Sequence, residues 1–387
     1  MKSELLLIGA GQWIIDWCEY YDVAYTLIQK PGIYVSGSAK QVVLIDYEND
    51  EGVWDYIEAL CNKRNIVACL TSTEPALSLA AKVAEKFDLP YRTCENIEFI
   101  KDKWKMRQVL EQSPLNSVAC ELVESPRELQ KFIDQHGTVI AKPQDGVGSL
   151  NVYKLTSDNL GKLDAIKGYP LLVERFIGGK EYSVEGFSYN GEHRVLGITE
   201  KQVDEKNLVE KRHVIPAPLP ADQEQKIEQA ISQFLTVIGI KNGPSHTELK
   251  VEDGQVYFIE THNRVAGDDI ANLLELVSGF NLYRELVGWP IGRRADVQAG
   301  DSMKGCAVID FIFAEQGRID KICGVDSVRT MPGVMEVKIY KPVGSKITNT
   351  KSSYDRLGHI IAYSDSLAQC EEIIKSVHNR LTIDVSN

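Results

Sequence analysis

Over the first hundred positions, short apolar runs alternate with stretches of helical periodicity. Residues 5–8, 25–28, 42–45 and 66–70 read as strands, and helices are expected from about 14, from about 53 and over 75–87. Continuous apolar strands separated by helices predict a small parallel α/β domain over residues 1–98. Beyond it the strands lengthen and alternate, at 138–143, from 151, at 169–177 and at 182–189, with a helix over about 221–238. After Trp289-Pro290 the pattern turns to strands at 306–313, 318–325, 334–339 and 360–364, then a helix over 367–381. Three segments follow: 1–98, 99–290 with a subdomain over about 115–173, and a β-rich 291–387.

The densest polar chemistry lies between two short strands, 246–251 and 255–261, joined by Glu252-Asp253-Gly254. A three-residue hairpin loop wants a left-handed glycine at its end, and Gly254 supplies one. That loop pairs Val251 with Gln255, sets Glu248 opposite Phe258, and puts Glu260 opposite His246. His246, Glu248, Glu260 and His262 then share one face, whereas a two-residue loop would send the two glutamates to opposite faces. Carboxylates side by side repel unless a cation lies between them, and oxygen donors of this type suit Mg²⁺ and phosphate. A solvated polar face remains the competing reading of the hairpin alone. Arg264, Gly267 in a tight turn, and Asp268 as the expected cap of an apolar helix over 270–277 add a phosphate-handling character.

Elsewhere the signals are weaker singly. Gly9-Ala10-Gly11 follows the first strand, but Ile14 stands where a dinucleotide fingerprint needs its third glycine. Glu74 reads as a helix cap, with a substrate-wall role as the alternative. Asp102 caps a helix that opens on Lys103. Lys142 ends a strand, and the following loop with Gly146, Gly148 and Ser149 can turn backbone N–H groups toward phosphate, although a plain hairpin is equally readable. Residues 199–213, with Lys201, Lys211, Arg212 and His213, read as a charged loop over a site or as a solvated surface.

Composition narrows the class. With 387 residues, 43% hydrophobic, the chain can bury two or three cores, and a net charge of −12 argues against a nucleic-acid partner. The opening apolar run of about six residues is too short for a signal peptide or a membrane span, so a cytoplasmic protein is expected. Eight scattered cysteines without a C-x-x-C pair are expected to pack as free thiols.

In this order, the motifs resemble the ATP-grasp superfamily, in which a Glu on one strand and a Glu-x-Asn-x-Arg motif on the next hold metal and the reacting phosphate. Here the second motif reads Glu260-Thr261-His262-Asn263-Arg264, with His262 where the family has Asn. The Glu-Thr-His-x-Arg-x-x-Gly-Asp form is most similar to ligases joining amino acids to amines, the L-amino-acid (dipeptide) ligases. The resemblance implies an α/β (α+β) ATP-grasp fold with an N-terminal parallel domain, a nucleotide lid, a central antiparallel sheet and a C-terminal β-rich domain that walls the substrate pocket or supports a homodimer.

It further implies ATP and Mg²⁺, or Mn²⁺ in its place, as cofactors, with Glu248, Glu260 and, at the position of the family's Asn, His262 as metal ligands. Lys103, Lys142, Gly146, Gly148 and Ser149 would hold phosphates, Glu174 with the backbone of Phe176 and Ile177 would read adenine, and Glu181 would accept ribose hydroxyls. Arg264 would stabilise the transferring phosphate, and His246 or His262 would take the amine proton. The implied reaction is ATP-dependent carboxylate–amine ligation of small molecules, amino acids among them, through an acyl phosphate. The alternatives are a carboxylase or purine-pathway ligase, a ligase acylating a carrier protein, and a nucleotide-binding regulator without turnover.

Overall fold

The computed structural model describes residues 3–144, 151–158, 168–204, 209–294, 303–348, 350 and 352–386. The N-terminal strands form a four-stranded parallel sheet in the order Gln41–Leu44, Ala24–Gln29, Glu4–Ile8, Ile66–Leu70. Glu4–Ile8 is buried along its whole length because helices cover both faces. Leu5 and Leu7 meet Ile14, Ile15 and Cys18 of helix Gln12–Tyr20, while Leu6 and Ile8 meet Val53, Ile57 and Leu60 of helix Gly52–Lys63. This is the two-sided burial that makes a parallel strand read as an unbroken apolar run.

A second, antiparallel sheet runs Cys120–Val123, Leu171–Arg175, Val139–Lys142, Tyr153–Leu155. Helix Pro126–His136 covers it through Leu129, Phe132 and Ile133. Its limits follow from local chemistry: the Ser125 hydroxyl accepts from the Glu128 N–H, Pro126 opens the first turn, and Gly137 (φ 76°) ends it. The loop carrying Gly146, Gly148 and Ser149 lies outside the described residues. Its near end is fixed, since Gln144 Nε2 donates to Asp102 (2.7 Å) and its carbonyl accepts from the Lys103 N–H (3.2 Å).

The central sheet has eight antiparallel strands, ordered Gln255–His262, Gly243–Glu252, Lys180–Tyr189, Glu192–Val203, Glu210–Ile215, Cys306–Ile312, Gly358–Ser364, Val334–Ile339. Three strands of the C-terminal segment thus extend the same sheet, and Gly317–Cys323 pairs separately with Lys346–Ile347 and Thr382–Ser386. Residues 199–213, expected as a loop, instead belong to two paired strands, with 205–208 outside the described residues. Buried Glu200, Lys201 and His213 account for it: each pairs with a charged side chain, so part of the run is polar without being solvated.

The hairpin departs from its expected register in two compensating ways. Glu252 pairs directly with Gln255, so the loop has two residues, Asp253 (φ 51°) and Gly254 (φ 74°), the both-positive pair that matches strand twist. Pairing continues through Leu249↔Phe258 and then shifts, giving Glu248↔Glu260, Thr247↔Thr261 and His246↔His262. Ile259 is the extra residue of a β-bulge. Phe258 and Glu260, which a regular strand would set on one face, are thereby separated. Phe258 stacks on Phe234 of helix Ala221–Val237 (centroids 4.0 Å apart), and Glu260 joins Glu248 on the opposite face.

Two smaller expectations also change. Asp269 (φ 57°), not Asp268, precedes helix Ile270–Ser278, and it makes no side-chain cap bond. Asp268 is drawn instead to the Arg356 guanidinium at 2.9 Å, a stronger charge-assisted partner. All eight cysteines are free as expected, but Cys94 is exposed and has no packing role. Among the described residues, no helix is long and apolar enough to cross a membrane.

Because Gly254 sits at φ 74°, Gly254→Ala is expected to cost about 1–2 kcal/mol through strain in the left-handed region. Urea unfolding should show a lowered midpoint at an unchanged slope. An unshifted midpoint would mean that the turn is not held in this conformation.

Candidate active site

Glu248 and Glu260 lie directly opposite one another on neighbouring strands, each clamped by a lysine and a histidine. Glu248 pairs with Lys201 and lies 3.4 Å from His246 Nε2. Glu260 lies 3.2 Å from Lys103 Nζ and 3.3 Å from His262 Nε2. Burial pushes both carboxyls toward the neutral form, but these cations outweigh it, holding Glu248 at about 2 and Glu260 well below the ordinary range. Lys201, 5% exposed, also lies 3.4 Å from both Glu181 and Glu210. Burial opposes its charge, yet the three carboxylates drive its pKa well above normal.

Each of the two histidines is held between two carboxylates. His246 Nδ1 is 2.8 Å from the fully buried Glu185 and its other nitrogen faces Glu248. Burial works against protonation, but the two carboxylates raise the ring to about 9, so at neutral pH it is a cation and not a proton acceptor. His262 bridges Glu260 to Glu74, whose carboxylate lies 2.9 Å from Nδ1 in ion-pair contact without hydrogen-bond alignment. Burial lowers its pKa, and the two carboxylates more than offset this and raise it.

Glu74 was readable as a cap, but it makes no cap bond; it sits past the C-terminal end of Ile66–Leu70 and joins His262 to Arg264, whose Nε is 2.8 Å away. Burial raises the Glu74 pKa, and these two cations more than reverse it, to about 2. Lys103, Glu260, His262, Glu74 and Arg264 therefore form one chain of alternating charge.

Above the carboxylate pair opens a cavity of about 650 Å³, lined by Lys103, Lys142, Phe176, Lys201, Glu248 and Glu260 among others. That is within the ~300–1,000 Å³ of small-molecule sites. Glu181 and Ile177 also line it, with Glu181 3.5 Å from Lys250 Nζ. Glu174 differs from expectation. Its carboxylate is 4% exposed and bound by Arg107 and by Lys142 at 2.6 Å, so it anchors the lysine that lines the cavity. The Phe176 ring lies between Lys154 (4.0 Å to the centroid) and Lys250 (5.2 Å), which leaves an aromatic face flanked by cations at the linker.

Sequence reasoning missed Arg107, Glu185 and the pairing role of Lys201, all of whose partners are distant along the chain. Among the described residues, no cluster of three or more His, Cys, Asp or Glu is arranged around a single point. Two facing carboxylates in a cavity that Lys103 and Lys142 also line fit Mg²⁺, which takes few protein ligands and keeps water and phosphate oxygens; Mn²⁺ accepts the same donors.

Residues 158–272 match the ATP-grasp domain family, and residues 310–386 match the L-amino acid ligase C-terminal domain 2 family. The uncharacterized protein y4rH of Sinorhizobium fredii is 26% identical over 355 residues, covering 88% of this chain and 73% of that protein. The alanine–anticapsin ligase of Bacillus subtilis is 23% identical over 282 residues, 65% of this chain and 60% of that enzyme, so the match spans less than two thirds of its length. The crystal structure of an L-amino acid ligase from Bacillus licheniformis superposes with a TM-score of 0.87 at 23% identity, covering 100% of this chain and 99% of that one. Fold and family matches agree: residues 158–272 form an ATP-grasp domain and residues 310–386 an L-amino acid ligase C-terminal domain 2, the make-up of an ATP-dependent ligase.

Proposed function

We propose that this protein is a carboxylate–amine ligase that joins amino acids through an acyl phosphate and releases ADP and phosphate. The observation that carries the reading is the facing pair Glu248 and Glu260 beneath a cavity that Lys103 and Lys142 also line. A divalent ion held by that pair would supply charge neutralisation at the transferring phosphate. Lys103 and Lys142 would hold the phosphates, and Phe176, Ile177 and Glu181 would receive the nucleoside end. A carboxylate oxygen of the first substrate attacks the γ-phosphorus as the bond to ADP breaks. The amine nitrogen of the second then attacks the acyl carbon and expels phosphate.

Arg264 and Glu74 give the site a cation and an anion side by side, the two charges that an amino-acid zwitterion needs as partners. The resemblance of the 310–386 segment to L-amino acid ligases, and the alanine–anticapsin ligase among the relatives, support amino acids as substrates. His246 and His262 are assigned to orienting Glu248 and Glu260, which they approach at 3.4 and 3.3 Å. A regulator that only binds nucleotide has no need for two half-buried carboxylates facing each other, whose mutual repulsion is costly without a cation to hold.

The direct test is ADP release screened over pairs of amino acids, with and without bicarbonate. Release that needs two amino acids and ignores bicarbonate supports the ligase; release that requires bicarbonate would make it a carboxylase. Release only with an added carrier protein, seen as a mass gain on the carrier arm, would make it a thiol-acylating enzyme. Glu260→Gln should abolish ADP formation while the melting temperature stays within a few degrees, and near-normal turnover would remove Glu260 from the metal site. Gly179→Ala places a Cβ 1.7 Å from the Val251 carbonyl oxygen and must lift the linker that bears Phe176 and Ile177. We expect KM for ATP to rise about tenfold or more with a smaller change in kcat; an unchanged KM would detach the linker from nucleotide binding.

A further inference from the structure

Arg107 is 1% exposed and stands four residues after Lys103 on helix Lys103–Glu111. Its three nitrogens reach three targets. Nε pairs with Glu174, Nη1 donates to the Phe258 carbonyl at 2.7 Å, and Nη2 donates to the Ile259 carbonyl at 3.3 Å. Phe258 and Ile259 are the residues at which the hairpin changes register. A bulge disrupts the ladder locally and leaves its extra residue unpaired, so its carbonyls need donors from elsewhere. Glu174, on the third arm, fixes Lys142 at 2.6 Å.

We infer that Arg107 is a positioning residue for the metal pair and the phosphate lysine together. By bracing the bulge it keeps Glu260 opposite Glu248, and by holding Glu174 it keeps Lys142 turned into the cavity. The inference rests on the ligase reading above and deepens it. Only a guanidinium serves: its planar fork presents donors in several fixed directions, whereas a lysine places one nitrogen at one of these targets. A residue of merely structural importance would lower stability on removal, yet leave the cation affinity of the folded protein alone.

The test uses the full chain and Mn²⁺ as the probe, titrated by electron paramagnetic resonance with saturating ADP. Arg107→Lys, which preserves the buried charge beside Glu174, should stay folded by circular dichroism and bind Mn²⁺ about 10–100-fold more weakly, the usual cost of losing an outer-shell partner. Arg107→Met should weaken it at least as much, and if that variant does not fold the lysine variant carries the test. Glu174→Gln leaves both carbonyl contacts in place; it should raise KM for ATP while Mn²⁺ affinity stays within about threefold of wild type. Arg107→Lys with wild-type Mn²⁺ affinity would overturn the inference and leave the ligase reading standing. Wild-type protein that binds no Mn²⁺ with ADP would overturn both.

Discussion

Two ionised carboxylates facing each other on adjacent strands are an unfavourable arrangement, and the surrounding charges are set out to sustain it. Directly opposed residues have Cβ atoms about 4.5–5.5 Å apart. Like charges at about 4 Å repel by about 4 kcal/mol at an effective dielectric near 20. Lys201 and His246 answer Glu248, while Lys103 and His262 answer Glu260. Each histidine is in turn tied to a further acid, the buried Glu185 or the half-buried Glu74. A divalent cation entering here meets carboxylates already ionised and oriented.

The same network joins every part of the chain to the site. Glu74 comes from the end of the parallel sheet, Lys142 from the lid sheet, and Lys103 and Arg107 from the helix between them. The C-terminal segment enters through Arg356, which lies over the Phe311 ring at 3.6 Å, pairs with Asp268 and Glu210, and so reaches Lys201 and Glu248. The eight-stranded sheet is the physical reason: it places residues 248 and 260 on one adjacent pair of strands and 210 and 310 on another, with two strands between the pairs, although they span a hundred positions. Movement of either the lid or the C-terminal strands would therefore be felt at the carboxylate pair.

Much of this was legible in the sequence and some was not, for physical reasons. Strand Ile66–Leu70 and the Asp102 cap follow from local patterning, since an apolar run and a capping carboxylate act on their own neighbours. Asp253-Gly254 marked the turn, but its length was misjudged by one residue. The bulge at Ile259 cancels that error, and nothing in the residue alternation signals a bulge, because it is set by what stands behind the strand. Arg107 is that support, 151 residues away from Phe258. The partners of Glu74, Lys201 and Glu174 were not legible on similar grounds: each lies far along the chain from the residue whose charge it takes up.

The claim that a bulged hairpin presents Glu248 and Glu260 to one divalent ion is tested most directly by crystals grown with Mn²⁺ and ADP. Anomalous scattering locates the ion without reference to any assumed mechanism. The account predicts an anomalous peak about 2.1 Å from an oxygen of each glutamate, with ADP phosphate oxygens completing its shell. A peak elsewhere, or glutamates on opposite faces of the hairpin, would contradict it.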